Sequence, residues 1–144
     1  MGQLNVIYCR DPGLGTVAIR AASWWQPWGH CAVIDGDIVI ESLALRGGVV
    51  ISTLKEVIAR STVHEIVQIE CPDPEKGLNW ARTTVGLPYD WSGIFAIPFR
   101  ERNWQNPNKW YCSELVEQTI VMSGRIRFRD GLPGITPNQS YYTI

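Results

Sequence analysis

Trp110-Tyr111-Cys112-Ser113-Glu114-Leu115-Val116 is the stretch that decides how this chain folds. Leu115, Val116 and Ile120 recur at helical spacing after a turn at Asn106-Pro107-Asn108, and Gly124 supplies a stop, so the pattern predicts a helix. Cys112 precedes Leu115 and Val116 by three and four residues, which puts it on the inward face of the first turn. A thiol there feels the positive end of the helix dipole and unpaired backbone N–H groups, and both favour the thiolate. The same N–H groups can hold an oxyanion if the sulfur attacks a carbonyl. A cysteine at such a position is more often plain core. A nucleophile therefore requires partners elsewhere in the chain.

The search for a base is short, because the chain has two histidines. His64 lies in an alternating stretch, Val63 to Cys71, on the opposite parity from Val63, Val67, Ile69 and Cys71, which places it outward. His30 opens a strand directly after Gly29. His30 to Ile34 and Ile38 to Ser42 flank Asp35-Gly36, a signal for a two-residue hairpin turn. In that register Ile34 faces Asp37, and His30 lies opposite Glu41 on one face. A three-residue turn would put Ser42 there instead. A carboxylate beside an imidazole fixes its tautomer and supports its positive charge. Cys112, His30 and Glu41 are thus the parts of a thiol hydrolase: nucleophile, base and orienting acid.

Composition bounds the alternatives. At 144 residues, 45% hydrophobic and 19% charged, the chain suits one α+β domain spanning 1–144. A net charge of −1 gives no footprint for nucleic acid or an anionic membrane surface. Cys9, Cys31, Cys71 and Cys112 are widely spaced with no C-x-x-C pair, which argues against a disulfide scaffold and against a zinc site. No apolar run approaches membrane-spanning length, and Met1 to Asn5 lacks the start of a signal peptide. The expectation is a protein made and kept in the cytosol, with no integral membrane association.

The remaining elements read as a strand at Asn5 to Tyr8, a break at Asp11-Pro12-Gly13 and a helix over Leu14 to Ala22. Trp24, Trp25 and Trp28 form an aromatic loop before His30. Val49 to Ile51 reads as a strand, and Thr53 with Glu56 as a capping box for a helix to about Arg60. Asp73-Pro74 opens a helix carrying Leu78, Ala81 and Val85 and ending at Gly86. Leu87 onward reads as a long connection, apolar over Ile94 to Phe99 and polar over Arg100 to Asn108. Ile126 to Phe128 suits a strand, and Thr136-Pro137-Asn138 a turn. Glu114 reads as a first-turn dipole partner, and Asp90 as a turn or capping residue.

Gly86-Leu87-Pro88-Tyr89-Asp90-Trp91, followed after an insert by Tyr111-Cys112-Ser113-Glu114-Leu115-Val116, resembles the nucleophile region of the NlpC/P60 superfamily of papain-like cysteine hydrolases. The histidine and its acidic partner precede the cysteine here, the order of the circularly permuted, YiiX/YebB-like branch. Thr136-Pro137 is similar to the segment that closes those domains. The resemblance implies an antiparallel sheet packed against the cysteine helix, with Cys112 as nucleophile, His30 as base and Glu41 as orienting acid. It also implies that Tyr89 lines the pocket and donates to the oxyanion, and that neither metal nor organic cofactor is used. The implied substrate is a peptide-like amide, foremost in peptidoglycan stem peptides; since the sequence shows no export signal, reaching it calls for delivery by a phage or secretion-machine partner. An acyl hydrolase or acyltransferase on lipid or thioester substrates, or a non-catalytic virion module, are the alternatives. The sequence departs from the family at Asp90-Trp91-Ser92-Gly93 and in the long polar insert Pro98 to Lys109.

Overall fold

A computed structural model describes residues 1–11, 14–22, 27–96, 108–128 and 135–143. The Asn106-Pro107 turn, Trp24, Trp25, Pro12-Gly13 and most of the 98–109 insert lie outside the described residues. Among the described residues five strands form one antiparallel sheet: β1 (Gly2–Arg10), β2 (His30–Asp35), β3 (Ile38–Leu43), β4 (Gly48–Thr53) and β5 (Val63–Cys71), in the order β4-β3-β2-β1-β5. Among the described residues six α-helices accompany it: α1 (Leu14–Ala22), α2 (Leu54–Arg60), α3 (Pro74–Thr83), α4 (Trp91–Ala96), α5 (Cys112–Met122) and α6 (Pro137–Tyr142). The class is α+β. No helix among the described residues is long and apolar enough to cross a membrane.

Strand alternation sends buried side chains to the two faces of the sheet. Leu4, Val6 and Tyr8 of β1, Cys31 and Val33 of β2, and Ile69 and Cys71 of β5 share a cluster with Cys112, Val116 and Ile120 of α5. The three α5 residues are four apart, the stripe a helix presents to a sheet. Ile7, Cys9, Ala32, Ile34 and Val39 face the other way and pack on Val57 of α2. The capping box at Thr53 and Glu56 is formed as expected and fixes the start of α2. Asp73 likewise caps α3, with Pro74 in its first turn.

Several expectations need correction. The hairpin turn is made by Gly36 and Asp37, so that Asp35 pairs with Ile38 and Val33 with Ile40. Gly36 takes a φ of 63°, which an L residue adopts only at a cost. Val63 is 47% exposed, because β5 outruns the core at that end. Val85 lies beyond α3, in the turn closed by Gly86, and is 39% exposed. No strand forms at Ile126 to Phe128. Thr136-Pro137-Asn138 opens a helix, α6, through a capping box between Thr136 and Gln139. The connection after Tyr89 contains α4, whose first turn Asp90 caps by accepting from Ser92 Oγ at 2.6 Å and Gly93 N–H at 2.9 Å.

Gly77 sits in the middle of α3, where glycine costs a helix about 1 kcal/mol relative to alanine. The reason is α5: a Cβ on Gly77 would lie 1.9 Å from Ser123 Oγ and 2.5 Å from the Thr119 carbonyl oxygen. Backbone-to-backbone packing thus sets how closely α3 holds the nucleophile helix. Gly77→Ala is expected to destabilise the fold by about 1–3 kcal/mol despite alanine's better helix propensity. Chemical denaturation of the variant checks this, and an unchanged or raised midpoint would show that the helices separate at no cost.

Candidate active site

Three chain segments meet at the first turn of α5. Tyr111 is its N-cap, in extended conformation with no side-chain cap, so Cys112 is the first helical residue. Glu114 accepts a hydrogen bond from the Tyr111 N–H, half of a capping box. The helix ends at Ser123 and Gly124, where Gly124 N–H donates to the Val121 carbonyl and Arg125 N–H to that of Ile120. With Gly124 at a φ of 89°, that is the left-handed stop its sequence position foretold.

His30 is the first residue of β2 and hydrogen-bonds Cys112. Its Nε2 donates to Glu41 Oε2 at 2.8 Å. That leaves Nδ1 for the sulfur. His30 and Glu41 do meet, though not in the expected register. The observed pairing sets Glu41 one step diagonal to His30, two residues from the facing position. A shift of two residues keeps both side chains on the same face, and diagonal neighbours are within reach of long side chains. The Ser42 alternative would have required a shift of one. Ser42 instead donates to the Trp110 carbonyl at 2.5 Å, tying β3 to the residues before α5.

Glu41 is fully buried and saturated with donors. Ser52 Oγ donates to its Oε1 at 2.5 Å, and Arg60 Nη2 joins His30 at Oε2. Burial alone would raise the Glu41 pKa, but the hydrogen bonds from His30, Arg60 and Ser52 outweigh it and bring the value down to about 2. Arg60 is itself fixed between Glu41 and Asp11, whose Oδ2 lies 3.5 Å from its Nε. The sequence reading missed Ser52 and Arg60. The available signal was Glu41 itself, since a carboxylate at an inward strand position needs a cation within reach.

The sulfur and the imidazole shift each other's protonation in opposite directions. Burial pushes the Cys112 thiol up, yet hydrogen bonds from Cys31 and His30, the charge of His30 and the Cys31 backbone N–H together lower it to about 5. Burial disfavours charge on His30 too, and its bonds to Cys112 and Glu41 overcome that, holding its pKa well above the ordinary histidine value. Both directions favour the thiolate–imidazolium form of the pair, and the lowered Glu41 carboxyl supports the imidazolium.

Tyr89 is buried in the same cluster as Cys112. It is held there by its N–H donating to the Gly47 carbonyl and by a bridge to Trp110. Gly48 permits this approach, because a Cβ there would lie 2.0 Å from the Leu87 carbonyl oxygen. Burial, then the nearby thiolate, raise the Tyr89 pKa, so its hydroxyl stays protonated and remains a donor. Glu114, expected to act on the dipole as an anion, is instead buried. Burial and the charge of Asp90 push it up to about 9. At neutral pH it is uncharged, which spares the thiolate a like charge in its own helix turn.

No group of three or more His, Cys, Asp or Glu side chains among the described residues could hold a metal ion. No protein-family model matches the chain, and no curated protein matches it in sequence.

Proposed function

We propose that this protein is a cysteine hydrolase of papain-like architecture in the permuted NlpC/P60 order, cleaving an amide bond through Cys112, His30 and Glu41. The observation that carries the reading is the hydrogen-bonded chain from Cys112 through His30 to Glu41, with the thiol lowered to about 5. In the reaction the thiolate attacks the carbonyl carbon, and the α5 N–H groups with the Tyr89 hydroxyl receive the oxyanion. His30 gives its Nδ1 proton to the leaving amine and then takes one from water as the acyl-enzyme is hydrolysed. Glu41 holds the ring so that Nδ1 faces sulfur throughout, and Arg60 and Ser52 hold Glu41. The substrate class best supported by the Tyr-Cys-Ser-Glu-Leu-Val motif is a peptidoglycan stem peptide, met after delivery by a phage or secretion machine.

A second reading rests on the walls of the site. Ile19, Trp28 and Ile94 pack in the same apolar cluster as Cys112, surroundings that suit an acyl chain in a lipid or thioester substrate. Cys112 is 0% exposed, so either substrate enters only when this packing opens.

The test of the thiolate pair is iodoacetamide labelling of Cys112 against pH. A lowered thiol pKa keeps reactivity above about pH 5 and loses it as pH falls through that value. At pH 6, His30→Ala returns the thiol toward its ordinary value and is expected to slow labelling by about tenfold, the loss of thiolate being partly offset by its greater intrinsic nucleophilicity. Labelling that rises only above pH 8 in the wild type would remove the nucleophile. Incubation with muropeptides on one side and acyl thioesters on the other, followed by mass spectrometry, then separates the two substrate classes.

A further inference from the structure

Cys112 is met by two successive residues of β2. His30 reaches it through the ring, and Cys31 reaches it twice, by its thiol and by its backbone N–H. Successive strand side chains point to opposite faces, so both touching one sulfur reflects the position of His30 at the very start of the strand. Hydrolysis uses the imidazole and leaves the second thiol without a task. All four cysteines are free and buried, and they are not equivalent. Cys9 pairs with His30 across β1 and β2 but belongs to the opposite core, with Ile7 and Ala32. Cys71 sits where β5 ends, opposite Gly2, and hydrogen-bonds Ser123 at the far end of α5. Cys31 is the cysteine whose thiol bonds Cys112.

We infer that Cys31 is a resolving thiol: hydrogen peroxide oxidises Cys112, and Cys31 then closes a Cys31–Cys112 disulfide that withdraws the nucleophile reversibly. In the first step the Cys112 thiolate attacks one peroxide oxygen and the O–O bond breaks. Cys112 becomes a sulfenic acid, and the departing hydroxide takes the His30 imidazolium proton and leaves as water. In the second step the Cys31 sulfur attacks the Cys112 sulfur, the S–O bond breaks, and the hydroxide released takes the Cys31 thiol proton as a second water. Two thiols and one peroxide thus give one disulfide and two waters, the sulfurs losing the two electrons that the peroxide gains. The two thiols divide the roles without further help. Burial, with the hydrogen bond it makes to Cys112, holds Cys31 protonated, so the peroxide meets a thiolate only at Cys112. Cys31 on β2 and Cys112 on α5 lie in one buried cluster, so the two sulfurs are neighbours across packed elements.

The experiment treats the whole protein with hydrogen peroxide and reads intact mass and Cys112 labelling before and after dithiothreitol. The wild type is expected to lose about 2 Da, to yield a linked Cys31–Cys112 peptide, and to lose labelling at least about tenfold until reduced. Cys31→Ser is expected to gain about 32 or 48 Da at Cys112 instead, beyond recovery by dithiothreitol. Cys9→Ser is expected to behave as the wild type. Wild-type protein that over-oxidises as fast as Cys31→Ser, or a Cys31→Ser variant that dithiothreitol still rescues, would overturn the assignment. Mass and labelling decide the matter without any substrate, so failure to hydrolyse and failure to form the disulfide are separate results.

Discussion

Cys112→Ala is expected to abolish turnover, lowering kcat by about 10⁵- to 10⁶-fold on any substrate the wild type cleaves. His30→Ala should cost nearly as much, and the double variant little more, because nucleophile and base act as one unit. Both effects follow from the proposed pairing of the Cys112 sulfur with the His30 ring, which lowers one pKa and raises the other. Glu41→Gln is expected to fall less far, by about 10⁴-fold, since Gln still occupies the space while turning the ring tautomer against its role. It also removes the charge facing Arg60, so its fold is checked alongside by circular dichroism. Steady-state rates of amine release measure all four variants. A Cys112→Ala protein that keeps activity within tenfold of wild type would end the covalent mechanism.

Glu117→Leu is expected to destabilise the protein by about 3–5 kcal/mol, more than any other single change to a charged residue outside the site. Glu117 is buried on α5 and paired with Arg127, whose Nε donates at 3.2 Å and whose Nη2 makes a second bond. Ser140 of α6 donates to Glu117 and is itself in a 2.7 Å hydrogen bond with the Tyr8 hydroxyl of β1. One carboxylate therefore ties the sheet, α5 and α6 together. The two partners are not symmetric. Burial already pushes the Glu117 pKa up against the pull of Arg127, so a carboxyl left alone by Arg127→Met can take a proton and become neutral. A guanidinium left alone by Glu117→Leu cannot lose one. The arginine variant should accordingly be the milder, and the double variant Glu117→Leu with Arg127→Met should recover much of the loss. Urea unfolding of the three proteins decides it. Equal losses in the two single variants would show that the pair is solvated after all.

Much of the site was legible because its chemistry leaves short-range marks. The apolar spacing of Val116 and Ile120 behind Cys112, the stop at Gly124 and the Thr53–Glu56 capping box are local rules, and each element formed where they placed it. The hairpin shows how such reasoning goes wrong harmlessly. Moving the turn from Asp35-Gly36 to Gly36-Asp37 changed every cross-strand partner, yet parity survived and Glu41 stayed on the face of His30. Thr136 shows the opposite. Its turn residues also fit a helix start, and only the reciprocal bond from Gln139 distinguishes the two.

The sequence by itself determined the helix that begins at Cys112, the strand that begins at His30, and the face Glu41 would share with it. These follow from periodicity and capping, which act over a few residues. Tertiary structure alone decided what surrounds them. Arg60 and Ser52 come to Glu41 from α2 and β4, Cys31 comes to Cys112 through the packing of α5 on β2, and Glu114 loses its charge by burial beside Asp90. Each of these depends on residues distant in the chain being brought out of water together, and desolvation and long-range contact have no local sequence signature.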